Sequence, residues 1–429
     1  MRGLIQQIAE NKNYSQLLEW GRLLAITGAA QVAIQVIGLT CGIIIVRVLP
    51  TDEYALYTLA NMMLGTMTVL ADGGISTAVM SEGGKVWKDP VKLGAVIATG
   101  LDLRRKFAVA SIAIFVPVLF ILLRHHHASL LMSVLIILSL IPAFFTALSG
   151  TLLEIVPKLR QDITPLQKNQ VTLNIYRLLT LGITVFAFPY ATIAVFATGL
   201  PQVFTNRKLK HIVANHADYR QRPDPQIQKN ILAMVARILP GALYYCFSGQ
   251  ITIWLVSILG ATVVVAQVGA LGRLALLLNL FNILFLTLII PRFSRLHADR
   301  KVLLKRFVQI QIGLVLLSLT ILTVAQFFSE QVLWVLGREY AGLKKELLLN
   351  ITASCISMIA GVGFSLYTGR GWAIRPFVSV PVNIASIICG IAIFNISSFE
   401  GILQFNIFLA FVQLFMNGGY CLLKILQLK

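Results

Sequence analysis

The chain has 429 residues, 57% of them hydrophobic and only 12% charged, against roughly 25% charged in an ordinary soluble domain. So little charge combined with long apolar runs excludes a soluble globular protein and indicates a membrane protein. The net charge of +19 does not mark a nucleic-acid binder, because the basic residues sit in short stretches between apolar runs and not on one folded face.

Residues 1–22 carry charges and polar groups without a short apolar core and cleavage site, so no cleaved leader is expected. They suit a cytoplasmic or interfacial helix, with Leu4, Ile5 and Ile8 toward lipid and Arg2 and Lys12 near headgroups. A membrane span needs roughly 20 mostly apolar residues. Such runs occur at about 23–46, 54–80, 107–123, 129–150, 170–187, 190–205, 231–258, 262–290, 307–328, 347–368, 377–394 and 402–423. The fifth and sixth are parted by Phe188-Pro189-Tyr190. The pattern predicts an all-α polytopic protein with about twelve transmembrane helices in two pseudo-symmetric six-helix bundles.

Loop charge supports the even count. With the N-terminus inside, only Arg47, Arg124, Arg338, Lys344 and Lys345 of the 36 basic residues fall in outside loops. Lys and Arg resist translocation, so both termini are expected in the cytoplasm. The stretch 206–230 (NRKLKHIVANHADYRQRPDPQIQKN) is basic and polar. It reads as a cytoplasmic linker between a first lobe, 23–205, and a second, 231–425.

A shift of 210 positions brings the halves into register for some fifty residues, with Leu49-Pro50-Thr51 on Leu259-Gly260-Ala261 and Asp72 on Asn282. Both halves begin inside and hold an even number of spans, so the repeat is parallel, about an axis along the membrane normal. Transporters use such repeats, with the site between them near the midplane.

Three spans carry polar stripes: Thr27, Gln31, Gln35, Gly38 and Gly42 in span 1; Tyr57, Asn61, Gly65, Thr68, Asp72 and Ser76 in span 2; Arg237, Gly241, Tyr245, Ser248 and Thr252 in span 7. At about 100° per residue each set occupies one face. Ordinary helix packing also clusters small and polar residues. Three stripes, two of them equivalent by the repeat, are better explained by a shared cavity. Ionisable residues inside the spans are Asp72, Arg177, Arg237 and Arg273, with Glu154 near an inner end. A charge at mid-bilayer costs roughly 2.5–3.5 kcal/mol on insertion scales, so such groups face a cavity or a partner. Asp72 paired with an arginine, and Arg237 reaching headgroups, would be structural. The surplus of guanidinium otherwise suits an anionic substrate. Pro240-Gly241 in span 7 invites a kink and is a candidate hinge.

Other chemistry is poorly supported. His125-His126-His127 has no acids nearby and reads as a solvated outer loop, so no metal is expected. The five cysteines, Cys41, Cys246, Cys355, Cys389 and Cys421, lie in apolar segments without a CxxC pair. No GxxxxGK[ST], GxSxG or HExxH run occurs, which leaves neither a direct ATP site nor an enzyme motif.

Several stretches resemble a known family. Val46-Arg47-Val48-Leu49-Pro50-Thr51-Asp52-Glu53-Tyr54-Ala55-Leu56-Tyr57 resembles the "aR-x-L-x-x-x-E-[YF]-G-x-[YF]" signature of polysaccharide and O-antigen flippases, with Ala55 where the family usually has Gly. Leu70-Ala71-Asp72-Gly73-Gly74 resembles their "l-x-D-x-G", Pro291-Arg292-Phe293-Ser294-Arg295-Leu296 their "P-x-[lf]-s-x-l", and Leu336-Gly337-Arg338-Glu339-Tyr340-Ala341-Gly342 their "l-G-x-x-Y-x-x-a". These flippases belong to the multidrug/oligosaccharidyl-lipid/polysaccharide exporter superfamily. The likeness spans about 20–425 and implies two bundles forming a V, with a cavity lined by helices 1, 2, 7 and 8 that opens alternately to each side. The implied substrate is an undecaprenyl-pyrophosphate-linked oligosaccharide.

The expected function is therefore a non-enzymatic flippase of the bacterial inner membrane, serving O-antigen, capsule or exopolysaccharide synthesis. Arg237 and Arg273, with Arg22 beside them, are candidates for holding pyrophosphate or acidic sugars. Gln31, Gln35 and Asn61 are candidates for contacting hydroxyls, and Asp72 and Tyr245 line the same cavity. Membrane lipids, a polysaccharide polymerase and a chain-length regulator are expected partners. The coupling ion, H⁺ or Na⁺, stays open. The rivals are an ion-coupled multidrug or cation antiporter, which needs cavity carboxylates, a polysaccharide polymerase or ligase, which needs a substantial outer loop, and a non-transporting scaffold in a glycan assembly complex. The outer acids Asp52, Glu53, Glu330, Glu339, Glu346 and Glu400 are scattered.

Overall fold

A computed structural model describes residues 12–428, apart from 161, 219–220, 250, 286–288, 290–292, 294–295, 297–298, 369, 371, 373 and 375. Among the described residues the chain is helical, with no strand. The helices are α1 (Lys12–Val48), α2 (Thr51–Asp72), α3 (Ile75–Val86), α4 (Pro90–His125), α5 (Leu130–Leu153), α6 (Ile155–Arg160), α7 (Ile163–Ala187) and α8 (Ala191–Ala214). They continue with α9 (Pro225–Gly249), α10 (Ile251–Leu259), α11 (Thr262–Leu284), α12 (Arg300–Phe327), α13 (Ser329–Leu336), a 3₁₀ turn (Arg338–Tyr340), α14 (Lys344–Thr368), α15 (Pro376–Ile393) and α16 (Phe399–Leu426).

Within the described residues, the apolar runs read from the sequence fall almost entirely on these helices, the run at 262–290 continuing past the end of α11 at Leu284. Among the described residues, eight helical stretches are long and apolar enough to cross a membrane, and Thr262–Leu274 and Phe377–Ile393 are shorter apolar helices. Side-chain caps start several of them: Asp89 accepts from the amides of Val91 and Lys92, Ser129 from Met132, Asp299 from Lys301 and Val302, and Ser398 from Gly401. Each cap satisfies donors the first turn leaves open.

The chain divides into two compact units, one of residues 1–41 and 60–248 and the other of 42–59 and 249–429. In the first, α5 packs on α8, α7 on α8 and α4 on α5; in the second, α14 packs on α16, α15 on α16 and α12 on α14. These are the same pairings once the repeat is applied. The first core gathers Ile75, Val79, Ile97, Leu152, Leu209 and Val235. The second gathers Leu303, Leu314, Met358, Leu366, Cys421 and Ile425. Outside the cores, large apolar side chains stay exposed, including Ile183 and Phe186 in the first unit and Phe327 and Phe415 in the second. Such belts suit lipid and not water. Residues 206–214 complete α8, and the turn that follows is fastened to α4: the amide of Asp218 donates to the carbonyl of Pro90 (3.0 Å) and that of Asp224 to Thr99 Oγ1 (2.9 Å).

Several helices run beyond the expected spans, as α7, α8 and α12 do, and two differences bear on the site. The predicted span at 54–80 breaks into α2 and α3 at Gly73 and Gly74, whose φ angles are +48° and +93°. A Cβ on Gly74 would approach Ile238 Cγ2 at 2.8 Å. The left-handed conformation costs an L-residue roughly 1–2 kcal/mol, and overpacking adds about 1–3 kcal/mol. Gly74→Ala is therefore expected to lower the thermal unfolding midpoint of the purified protein clearly, while Gly84→Ala, in more open surroundings on α3, leaves it near wild type.

The second difference is α4, which starts at Pro90 and not near 107. Asp89-Pro90 is a strong N-terminal signal, and the charged run Asp102-Leu103-Arg104-Arg105-Lys106 contains good helix formers that do not interrupt it. The consequence is that Arg104, assigned by the sequence to a cytoplasmic stretch, sits inside the first unit.

Candidate functional site

In the first unit the polar face of α2 ends at Asp72. Its Oδ1 accepts from the backbone amide (3.1 Å) and hydroxyl (2.7 Å) of Ser76 and pairs with Arg104. Arg104 Nη1 also donates to the carbonyl of Leu148 and to Thr151 Oγ1 (2.8 Å), and Nη2 to Ser76 Oγ. Arg104 is 3% exposed and Asp72 27%. The buried guanidinium is thus neutralised by a carboxylate that still meets an adjoining cavity of about 350 Å³ lined by Thr68, Asp72, Ser76, Thr151 and Ile238. A buried pair of this kind adds little net stability, but removing one partner strands the other. Arg104 was absent from the sequence-derived candidates. The signal that finds it is helical spacing once α4 begins at Pro90: Ile97, Gly100, Arg104, Ala108, Ser111 and Phe115 form one buried stripe.

In the second unit Arg273, on α11, is half-buried. Its guanidinium lies 5.9 Å from the ring centre of Tyr57, and Tyr57 stacks beside Tyr54 at 6.2 Å. Gly42 makes room for the arginine, since a Cβ there would meet Arg273 Cδ at 3.0 Å. Tyr54 is fully buried, with the Arg273 guanidinium against its phenol. No carboxylate among the described residues forms an ion pair with Arg273. The guanidinium is held by the two neutral phenols, so its positive charge stays uncancelled for an anion that arrives. Gly42 and Tyr57 are the members of the span 1 and span 2 polar stripes that meet Arg273.

The two family-like motifs at 46–57 and 336–342 meet in this same unit. Arg47 Nε donates to the carbonyl of Val335 (2.7 Å) and Nη2 to that of Trp334, with the guanidinium 4.4 Å from the Trp334 ring centre. It caps the last turn of α13, where carbonyls lack partners and the dipole is negative. Thr51 Oγ1 donates to the Glu339 carboxylate. Burial pushes the nearby Tyr340 phenol up, with Tyr54 and Glu339 acting in the same sense. Arg47→Ala is expected to cost about 1–3 kcal/mol through the lost charge-assisted bonds and ring contact, visible as a lower unfolding midpoint that Arg47→Lys restores only in part.

The remaining candidates divide. Gln31 and Gln35 are half-buried on α1, Asn61 is exposed on α2, and Pro240 is exposed within α9. The side chains of Arg22, Arg237 and Tyr245, and Gly241, lie outside the residues described at that level. Asp72 and Arg273 belong to different units. Arg177 Nε donates to the carbonyl of Thr198 (3.2 Å), a structural use. Glu154 is held by Lys158 (2.8 Å) and Gln170 (2.9 Å).

Comparison with family models finds no match, and neither does comparison with curated proteins. Solved structures do match. An inward-facing multidrug resistance MATE family transporter of the MOP superfamily aligns with a TM-score of 0.71 at 14% identity, covering 92% of this chain and 95% of the other. An outward-facing MATE transporter of the same superfamily gives 0.62 at 14%, covering 95% of each chain. A MOP superfamily transporter from Pyrococcus furiosus Vc1 (DSM3638), described as having a binding pocket of reverse polarity that suggests a different function, gives 0.61 at 14%, covering 93% and 94%. The chain therefore has the fold of the MATE transporters of the MOP superfamily, an integral-membrane architecture of twelve helices in two six-helix bundles.

Proposed function

We propose that this protein is a MOP-superfamily transporter that flips an undecaprenyl-pyrophosphate-linked oligosaccharide from the cytoplasmic to the outer leaflet of the bacterial inner membrane by alternating access, for O-antigen, capsule or exopolysaccharide synthesis. The observation that carries the reading is Arg273, seated on Tyr54 and Tyr57 without an acid paired to it. A guanidinium with no carboxylate paired to it suits a phosphate, which it grips through paired hydrogen bonds. Asp72, the carboxylate an exported cation would need, already pairs with Arg104. Gln31, Gln35 and Asn61 supply amides suited to sugar hydroxyls.

The second reading is an ion-coupled multidrug antiporter, favoured by the MATE multidrug transporters among the matching structures. The Pyrococcus furiosus protein supports divergence of pocket polarity on this one fold. Reconstitution separates the two. Vesicles holding the purified protein and a lipid-linked oligosaccharide on one leaflet are expected to expose that lipid to a reagent on the other side far faster than empty vesicles, while a proton gradient drives no cationic dye. Gradient-driven dye movement with no oligosaccharide flipping would reverse the assignment.

A further inference from the structure

Beside the Asp72 pair, the first unit holds a second and larger cavity, of about 540 Å³, between α4, α5 and the end of α8. Its polar groups are Arg104, Arg105, Ser149 and Lys210, and Leu101 and Phe145 are among its apolar walls. Arg104 lines both cavities, so its side chain is the partition between them. Its Nη groups are fully used, but its Nε–H is buried without an acceptor. Arg105 and Lys210 are exposed at this cavity, and neither forms an ion pair among the described residues. The neighbouring acid, Asp102, is engaged by Lys106 at 2.8 Å. Asp72 balances Arg104, so two positive charges are left over at the cavity.

The surroundings on the other side are apolar. Along α5, away from the basic end, Phe145, Leu138, Leu135 and Leu131 recur at helical spacing and are all exposed. Nothing polar interrupts this track, unlike the faces of α1 and α2. Lys210 belongs to the run Arg207-Lys208-Leu209-Lys210 at the α8 end, which the charge distribution assigns to the cytoplasmic surface. A basic pocket at headgroup depth that opens onto an apolar helix face matches an amphiphile with a negative head and a long tail.

We propose that this cavity binds an anionic phospholipid of the inner leaflet. Arg105 and Lys210 hold its phosphate, and an acyl chain lies along Phe145, Leu138 and Leu135. The bound lipid ties α4, α5 and α8 together at the partition residue Arg104. The proposal stands on this unit alone and is independent of which substrate the protein moves.

The test uses the full-length protein in detergent. Native mass spectrometry and thermal unfolding are followed while phosphatidylglycerol, phosphatidylethanolamine, undecaprenyl pyrophosphate or inorganic phosphate is added. Phosphatidylglycerol is expected to remain bound and to raise the unfolding midpoint with the logarithm of its concentration above Kd, with phosphatidylethanolamine and inorganic phosphate much weaker. The double variant R105A/K210A, whose exposed side chains leave the unliganded midpoint unchanged, is expected to bind phosphatidylglycerol roughly thirtyfold more weakly. Leu138→Gln is expected to weaken the phospholipid and leave the response to inorganic phosphate unaltered. Equal effects of phosphatidylglycerol and phosphatidylethanolamine, or wild-type binding by the double variant, overturn the site. Undecaprenyl pyrophosphate binding far more tightly than phosphatidylglycerol, and lost in the double variant, overturns the phospholipid as occupant and assigns the pocket to a prenyl pyrophosphate.

Discussion

Asp72→Leu is expected to destabilise the protein by about 3–5 kcal/mol, the usual cost of leaving a buried charge without its partner. The charge left behind is Arg104, at 3% exposure and with Leu148, Thr151 and Ser76 as neutral acceptors only. The change shows as a large fall in unfolding midpoint and in the amount of protein recovered from membranes. Arg104→Met should cost less than Asp72→Leu, because the stranded carboxylate keeps 27% exposure beside a cavity. The double variant Asp72→Leu/Arg104→Met should recover much of the loss, since apolar replacements of a buried pair are often neutral. A double variant as unstable as the sum of the two singles would show that they do not act as a pair. The milder Asp72→Asn separates structure from transport. As a coupling carboxylate, Asp72 would give a protein that folds and inserts yet loses gradient-driven efflux altogether; as a structural anchor, it gives a protein whose transport falls only as its stability does.

On the proposed flippase function, Arg273→Ala is expected to reduce oligosaccharide flipping roughly ten- to hundredfold, corresponding to about 1.5–3 kcal/mol for a lost bond to a charged group. Its unfolding midpoint should change little, because the lost contacts are a ring face and phenols and not a paired acid. Arg273→Lys retains the charge without the planar fork and should fall between. The readout is the rate at which lipid-linked oligosaccharide becomes accessible across reconstituted vesicles, with surface polysaccharide in cells as the companion measurement. Wild-type flipping by Arg273→Ala, at normal protein level, removes the arginine from the substrate path. Tyr57→Phe, which keeps the ring under the guanidinium, should be far milder than Tyr57→Ala.

Much of the fold is legible along the chain because hydropathy and capping are local. Asp89-Pro90, Ser129, Asp299 and Ser398 each start a helix through bonds made within three residues. The break at Gly73-Gly74 was also present in the letters, inside a motif of flippase type, but hydropathy alone runs straight through it, since Ala71, Ile75 and Ala78 are as apolar as a continuous span requires. The same limit hid Arg104. A run of charges beside an apolar segment reads as loop until the register of the buried stripe through Ile97, Ala108 and Ser111 is known.

The amino-acid sequence by itself determined the class of molecule, the twelve apolar segments, the repeat, and the presence of charges that a bilayer must have a reason to hold. These follow from composition and from the short-range periodicity of helices, which each segment carries alone. Only the tertiary structure decided which charges are neutralised. Asp72 finds Arg104 32 positions away, Arg273 finds the phenols of Tyr54 and Tyr57 more than 200 positions away, and Arg105 and Lys210 line one cavity from different helices. A guanidinium has the same formula whether it is paired, stacked or waiting for a phosphate. What separates those fates is the set of groups that packing brings within a few ångströms of it, and no local pattern encodes that set.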